Sequence, residues 1–358
     1  MTPAGTPVSR RSSGHWRSTV RDVAFALLSG PIFDRATAAY VRLKNASVAR
    51  RRRRSDRNSM RRWLDRPDNL GVRELHDLLL RRAVSSRVPI DAAERDFAAM
   101  QLLVGIARQP TLANALVLRG GAALRWFHVP GSRFARDLDF TVGTDVPPGF
   151  DDLVGQVAST VENSLAAVYG QGSFAAGVRP GHHVRPNVRA LTLTLRFPWQ
   201  HAAHPTAVPL EVQTGEAPFL PTVWLPALPD YGERVQVMLR CLCIEECVAQ
   251  KLETLLTISH SLGANGGAAR SPVIDYHDLG KILDGRLPAL DRELVRRALA
   301  PRCAQCGTSF ASVEDFFAAR LVRYAESLWR TALSDVCGHP EPCRRSLALL
   351  KPRVAAIL

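Results

Sequence analysis

Long hydrophobic runs are missing from this chain. No stretch of its 358 residues approaches the ~18 consecutive apolar positions that a membrane-spanning helix requires. The apolar patch at Val23-Ala24-Phe25-Ala26-Leu27-Leu28 is too short and too interrupted to serve as a secretory signal. Cysteine is scarce and odd in number: Cys241, Cys243, Cys247, Cys303, Cys306, Cys337 and Cys343. Seven thiols argue against a disulfide framework and fit a reducing, cytoplasmic setting with no membrane partner. Acidic residues are thin at the start. Residues 1–70 hold sixteen Lys/Arg against five Asp/Glu, whereas residues 71–358 hold 31 against 28. The formal charge of +14 therefore sits almost wholly in a leader, and the rest is nearly neutral.

What is present fits two modest domains behind that leader, since 46% hydrophobic residues can bury a core. The boundaries read as a basic leader at 1–70, a core at 71–230 and a helical part at 231–358. In the leader, Arg50 to Arg54 is unbroken, with Arg57, Arg61, Arg62 and Arg66 behind it. Such a block repels itself and favours polyanions. It reads either as an arm for RNA or DNA or as an arginine-rich extension with no dedicated role. One helix is suggested there, from Asp34 to Val48.

From Val72 the pattern turns helical, with Leu75, Leu78, Leu79 and Arg82 at helical spacing. Asp91 reads as an N-cap and Glu94 as the other half of a capping box. The helix that follows would carry Phe97, Met100, Leu103, Val104 and Ala107 on one face and stop at Gln109-Pro110. Asp151 to Tyr169 is a second amphipathic helix, with Leu153, Val157, Val161, Leu165 and Val168. Gly170 to Pro186 is glycine-rich and holds His182-His183 as loop residues. Val188 to Phe197 alternates as a strand with Leu191, Leu193 and Leu195 inward, and Pro209 to Gln213 reads as its neighbour. Ile244 to Ile258 is a helix burying Ile244, Val248, Leu252 and Leu255, followed by a glycine-rich loop from Gly263 to Gly267.

The chemistry concentrates between Leu116 and Phe140. Leu116-Val117-Leu118 is a short buried strand, Gly120-Gly121 breaks it, and Ala122 to Trp126 opens a helix. Free backbone N–H groups at such a helix start make a seat for phosphate. After Pro130-Gly131 comes Asp137-Leu138-Asp139-Phe140, a strand that sends both carboxylates to one face and Leu138 and Phe140 to the core. Two carboxylates side by side repel unless a cation sits between them, and hard oxygen donors suit Mg²⁺ bridging to phosphates. Taken singly, Gly-Gly is a turn and Asp-x-Asp a solvated strand end. Their order within one small α/β unit is what describes a phosphoryl-transfer site.

These residues resemble the AbiEii/AbiGii-type nucleotidyltransferase toxins, a branch of the DNA polymerase β-like superfamily. That family has a Gly-Gly-Thr-Ala-Leu-like element, here Gly120 to Leu124, and an Arg-x-Ser-x-Asp-Leu-Asp-Phe-like element, here Arg133 to Phe140. Ala122 and Ala135 stand where Thr and Ser are common, so two hydroxyls are lost. The likeness spans about Val72 to Leu283 in three separated blocks. It implies an α+β fold: a minimal nucleotidyltransferase core with a mixed sheet flanked by helices, then a C-terminal helical domain. It also implies a third carboxylate at Glu211, with Glu216 as its nearest rival. Lys251 matches the Lys of an Ala-Glu-Lys-Leu-like helix near the nucleotide phosphates; without that match it reads first as a snorkelling surface lysine. Asp275-Tyr276-His277-Asp278-Leu279 matches an Arg-Asp-x-x-Asp-Leu-like element, with Ile274 replacing the Arg. Asp275 would pair with Lys251 or another cation, and Asp278 would cap or brace its helix.

The implied activity is transfer of a nucleoside monophosphate from an NTP to RNA, with tRNA 3′ ends as acceptor, and a cognate antitoxin is implied as partner. In that scheme Asp137 and Asp139 hold Mg²⁺, Glu211 helps deprotonate or orient the acceptor hydroxyl, Gly120, Gly121 and Lys251 hold the triphosphate, and Arg133 neutralises charge at phosphorus. Two other readings are a nucleic-acid-binding protein with a degenerate site and a kinase-like transferase acting on a protein. The spacing Cys303-Ala304-Gln305-Cys306 further suggests Zn²⁺, with Cys337 and either Cys343 or His339 closing the site; buried free thiols are the alternative.

Overall fold

The chain's last four-fifths organise around a helix buried almost all round. In the computed structural model the described residues are 70–181, 187–201, 203–228, 231, 237–265 and 270–358. The Asp34–Val48 helix, the Arg50–Arg54 run and His182-His183 lie outside them. Helix α1 (Leu70–Ser85) leads into α2 (Ile90–Arg108), which buries Ala92 to Met100 except Arg95, and Leu102 to Ile106. The capping box is not formed. Pro89 is the N-cap, with no side-chain cap bond. Glu94 is instead fully buried, accepting hydrogen bonds from Trp199 Nε1 and Gln200 Nε2, each at 2.8 Å. Asp96, also fully buried, accepts from Arg125 Nη2 at 3.1 Å, the Ala135 amide at 2.7 Å and the Tyr231 hydroxyl at 2.6 Å. Both acids are drawn inward because they collect donors from chain segments far away in sequence.

A short helix α3 (Pro110–Ala115) delivers the chain to β1 (Val117–Arg119). Then come α4 (Gly120–Ala123), widening into a π turn at Leu124–His128, and β2 (Leu138–Thr141). The excursion α5 (Phe150–Tyr169), β3 (Ala175–Pro180) and β4 (Val188–Arg196) returns to the sheet as β5 (Thr206–Gln213). Strands β6 (Val223–Pro226) and β7 (Met238–Cys241) follow. The seven strands lie in the order β3-β4-β5-β2-β1-β7-β6. The pairs β2/β5 and β1/β7 are parallel and the others antiparallel, so the sheet is mixed, as the α+β reading expected. Strand β7 falls within the stretch 231–358 read as helical, and the helical part opens at Ile244. It comprises α6 (Ile244–Asn265), α7 (Val273–Arg286), α8 (Arg292–Gln305), α9 (Ala319–Leu333) and α10 (Cys343–Ala355). Helix α6 thus runs through Gly263, where a loop was expected.

The two faces of the sheet have different partners. Leu118, Leu138, Phe140, Leu210 and Val212 belong to the hydrophobic cluster around α2 and α5. Val117, on the opposite face, belongs with Leu124 to the cluster of α6–α10. Strand alternation therefore puts Arg119, Asp139 and Glu211 on the side of the C-terminal helices. Leu153 is only partly buried and Val168 is 70% exposed, so α5 buries a narrower stripe than its sequence suggests.

Removing one partner of a buried ion pair leaves a desolvated charge behind, at a cost of about 3–5 kcal/mol. Asp96→Ala is accordingly expected to lower the free energy of unfolding by about that amount, read from urea titration of the folded protein.

Candidate functional site

Asp139 sits in the middle of the sheet between two polar neighbours. Its Cα partner on β1 is Arg119 and its Cα partner on the parallel strand β5 is Glu211. Asp137 precedes β2 directly rather than lying within it. Burial, then the nearby charge of Asp137, pushes the Asp139 carboxyl up to about 7; Glu211 adds to this, while Arg119 and Arg270 oppose it. The three carboxylates named from the sequence are thus electrostatic neighbours.

The two glycines press against this centre from β1. Gly120 has φ +68°, and a β-carbon there would stand 2.5 Å from Asp139 Oδ2. A β-carbon on Gly121 would stand 2.3 Å from Arg133 Nη2. Only glycine permits both approaches, and Gly120 also needs the left-handed backbone. The Gly-Gly element is therefore the hinge between the acidic centre and a buried ion network. In that network Arg133 donates from Nε and Nη2 to Asp278 at 2.8 and 3.1 Å, and from Nη1 to the Phe134 carbonyl at 3.0 Å. Lys251 Nζ lies 2.7 Å from Asp278 Oδ2 and 3.2 Å from Asp275 Oδ1. Burial opposes the Lys251 ammonium, but Asp278 and Asp275 outweigh it and hold its pKa above the usual lysine value. Burial likewise opposes the Asp278 carboxylate, yet Arg133 and Lys251 hold it well below the usual range.

Several placements differ from the sequence reading. Lys251 is 7% exposed and does not snorkel. Arg133 donates from Nε, Nη1 and Nη2 to Asp278 and Phe134, which braces the loop before β2. The cation missing at Ile274 is supplied by Arg270, whose Nη2 lies 3.5 Å from Asp275 Oδ2 while its side chain is 65% exposed. Asp278, read as a helix brace, is the meeting point of the network, and Arg119 and Arg270 carried no sequence signal beyond being arginines. Glu216 approaches Arg119, and its backbone carbonyl accepts from Thr141 Oγ1 at 2.7 Å; Glu211 is the acid paired with Asp139.

The zinc site expected at Cys303, Cys306, Cys337 and Cys343 is not formed. All seven cysteines are free. Cys303 is buried within α8, Cys306 ends that helix in solvent, and Cys343 opens α10. Among the described residues no three or more His, Cys, Asp or Glu side chains are grouped to hold a metal ion.

A family profile described as "nucleotidyl transferase AbiEii toxin, type IV TA system" matches residues 101–358. The chain belongs to the AbiEii nucleotidyltransferase toxin family. It is therefore related to enzymes that use an NTP and are paired with a cognate antitoxin. Among solved structures it is similar to MenT4, a nucleotidyltransferase toxin from Mycobacterium tuberculosis H37Rv, at 22% identity and a TM-score of 0.56, covering 79% of this chain and 89% of that one. It also matches JHP933 from Helicobacter pylori at 17% identity and a TM-score of 0.45, covering 74% and 91% of the two chains. A search of curated proteins gives no match. Among the described residues no helix is long and apolar enough to cross a membrane.

The raised Asp139 pKa has a consequence for stability. The folded state holds this proton up to about pH 7, whereas an unfolded Asp releases it near pH ~3.9. The stability gained from protonation is full below the unfolded pKa and is lost as pH rises through the folded one. Asp139→Asn should therefore be more stable than the parent by on the order of 1–3 kcal/mol above pH ~7, with the gain vanishing near pH ~4. Thermal melts across that range check this.

Proposed function

We propose that this AbiEii-family enzyme transfers a nucleoside monophosphate from an NTP to a hydroxyl of RNA, the tRNA 3′ end being the acceptor. The observation that carries the reading is Asp139 held in register between Arg119 and Glu211 and pressed against Gly120. The donor set fits a hard divalent ion: two carboxylates, one with its proton affinity raised by burial and like charge. Asp137 and Asp139 would hold Mg²⁺, which when bound supplies charge stabilisation for the transferring phosphoryl group.

The chain's own residues do the rest. The backbone N–H groups at Gly120-Gly121 face the triphosphate. Lys251 has two of its three N–H donors on Asp275 and Asp278, leaving the third for a phosphate oxygen. Arg270, exposed and near both acids, adds a second cation. Glu211 accepts the proton of the acceptor hydroxyl as its oxygen attacks the α-phosphorus and pyrophosphate leaves. Such sites act chiefly by positioning and electrostatics. Toxicity follows if the modified tRNA is lost to translation, and an antitoxin encoded alongside restrains it.

Incubation with each labelled NTP and total tRNA tests the proposal. Label in RNA is expected from one or more NTPs. Label in protein instead indicates a kinase-like transferase, and RNA binding without label a degenerate site. Asp139→Asn should reduce transfer by about a thousandfold or more while remaining folded, because it removes one of two donors at the centre of charge. Gly121→Ala should lower transfer by about ten- to a hundredfold by displacing Arg133. Full activity in either variant would sink the assignment.

A further inference from the structure

Glu94 and Asp96 are buried acids that hold the core together. Glu246, fully buried in the first turn of α6, holds a loop instead. Its Oε1 accepts from the Phe219 amide at 2.9 Å and its Oε2 from the Leu220 amide at 2.8 Å, both in the segment between β5 and β6. Arg302 of α8 donates from Nη2 to Oε1 at 2.6 Å and lays its guanidinium over the Phe219 ring, with Cζ 5.2 Å from the centroid. The near end of the same loop is tied to β2 and the turn after it. The Glu216 carbonyl accepts from Thr141 Oγ1, and the Gly215 amide donates to the Thr144 carbonyl at 2.7 Å.

What this clamp holds is an exposed phenyl ring. Leu220 is buried among the C-terminal helices, whereas Phe219 is 39% exposed and belongs to neither hydrophobic cluster. An exposed apolar side chain is ordinary in itself. Of the other exposed aromatic rings among the described residues, Phe310 leans on Phe316 with centroids 5.0 Å apart, and Trp224 lies out on the edge strand β6. Phe219 differs in being gripped, and in where it is gripped. With Arg119, Thr141, Glu216 and Arg302 it borders one small cavity. Arg119 is the register partner of Asp139 and immediately precedes Gly120, so a single arginine separates the ring from the acidic centre and the phosphate seat. The cavity itself, about 10 Å³, has room for about one water. A flat ligand would therefore lie on the phenyl ring rather than within the cavity.

We propose that Phe219 is the platform on which the base of the incoming NTP stacks while the triphosphate lies at Gly120-Gly121. A nucleobase is a flat π system, and an aromatic side chain already fixed in place binds it with little ordering left to lose. Arg302 supports the ring from one side and leaves the opposite face for the base. It does so at the expense of a donor, since its buried Nε has no hydrogen-bond partner. The ribose bridges the gap that Arg119 spans between ring and acidic centre. Every base has a π face, so a phenyl platform accepts all four. Phe219 therefore contributes affinity for nucleoside triphosphates as a class rather than a choice among them.

The proposal rests on the NTP-dependent reading given above. Calorimetric titration of the full chain with each NTP, and with inorganic tripolyphosphate, tests it, because tripolyphosphate has the phosphates without the base. Phe219→Ala should weaken NTP binding about tenfold and leave tripolyphosphate binding unchanged, which also reports an intact fold. In transfer assays it should raise KM for the NTP about tenfold with kcat near the parent value. Phe219→Tyr should bind as the parent does, and Trp224→Ala, which removes an exposed ring elsewhere, should change nothing. Equal NTP affinity in the parent and Phe219→Ala, an equal loss of tripolyphosphate binding, or a KM change confined to the RNA acceptor would each overturn the proposal; the last would give the ring to a base of the acceptor. A parent chain that binds neither ligand would sink the platform and the NTP reading together. NTP affinity that depends on Phe219 in a protein that labels no RNA would uphold the platform while removing the transferase reading.

Discussion

Everything at the centre of this molecule depends on one buried carboxylate, Asp278, caught between a guanidinium and an ammonium. Taking three ions out of water costs several kcal/mol apiece, and the attraction among them offsets that only when the geometry is good and the remaining donors are satisfied. Here both Asp278 oxygens are engaged, Arg133 makes a two-pronged contact, and Lys251 has a second acid in Asp275. Such an arrangement is a poor way to gain stability and a good way to fix position. It joins the loop before β2, the middle of α6 and the first turns of α7 at one point. The close approach of Gly121 to Arg133 carries that rigidity to the start of α4.

The acidic centre has a second, independent constraint in the sheet. Because β2 and β5 are parallel and in register, Asp139 and Glu211 face the same side at adjacent strand positions. A slip of one residue would turn an apolar partner such as Leu210 or Val212 toward the cleft, which the hydrophobic cluster forbids. Asp139 thus remains in a setting that opposes its own ionisation. Local instability of that kind is common where a site is built for a cation or a substrate to complete it.

Much of this could be read from the residues. The alternation in Val188–Arg196, the Gly-Gly break after Val117–Arg119 and the pattern Asp137 to Phe140 each correspond to an element of the sheet. The pairing of Lys251 with Asp275 was anticipated from the family likeness. What local pattern misled was the fate of polar side chains with distant partners. Glu94 has capping-box spacing, yet Trp199 and Gln200 claim it from more than a hundred positions away. Arg133 looks like a phosphate ligand until α7 brings Asp278 to it. The cysteine spacing suggested zinc because spacing says nothing of Cys303 facing into a helix bundle. Arg270 substitutes for a cation absent at Ile274, and only three-dimensional placement could reveal that.

The order of these parts along the chain matters as well. The acids occur by Glu211, whereas the ions that brace their surroundings occur at Lys251, Arg270, Asp275 and Asp278. A polypeptide emerging from the ribosome therefore carries its acidic centre without these braces until most of its length has been made. A chain cut short before α7 would keep Asp137, Asp139 and Glu211 but lack Asp275 and Asp278, the acids that hold Lys251 and Arg133 in place.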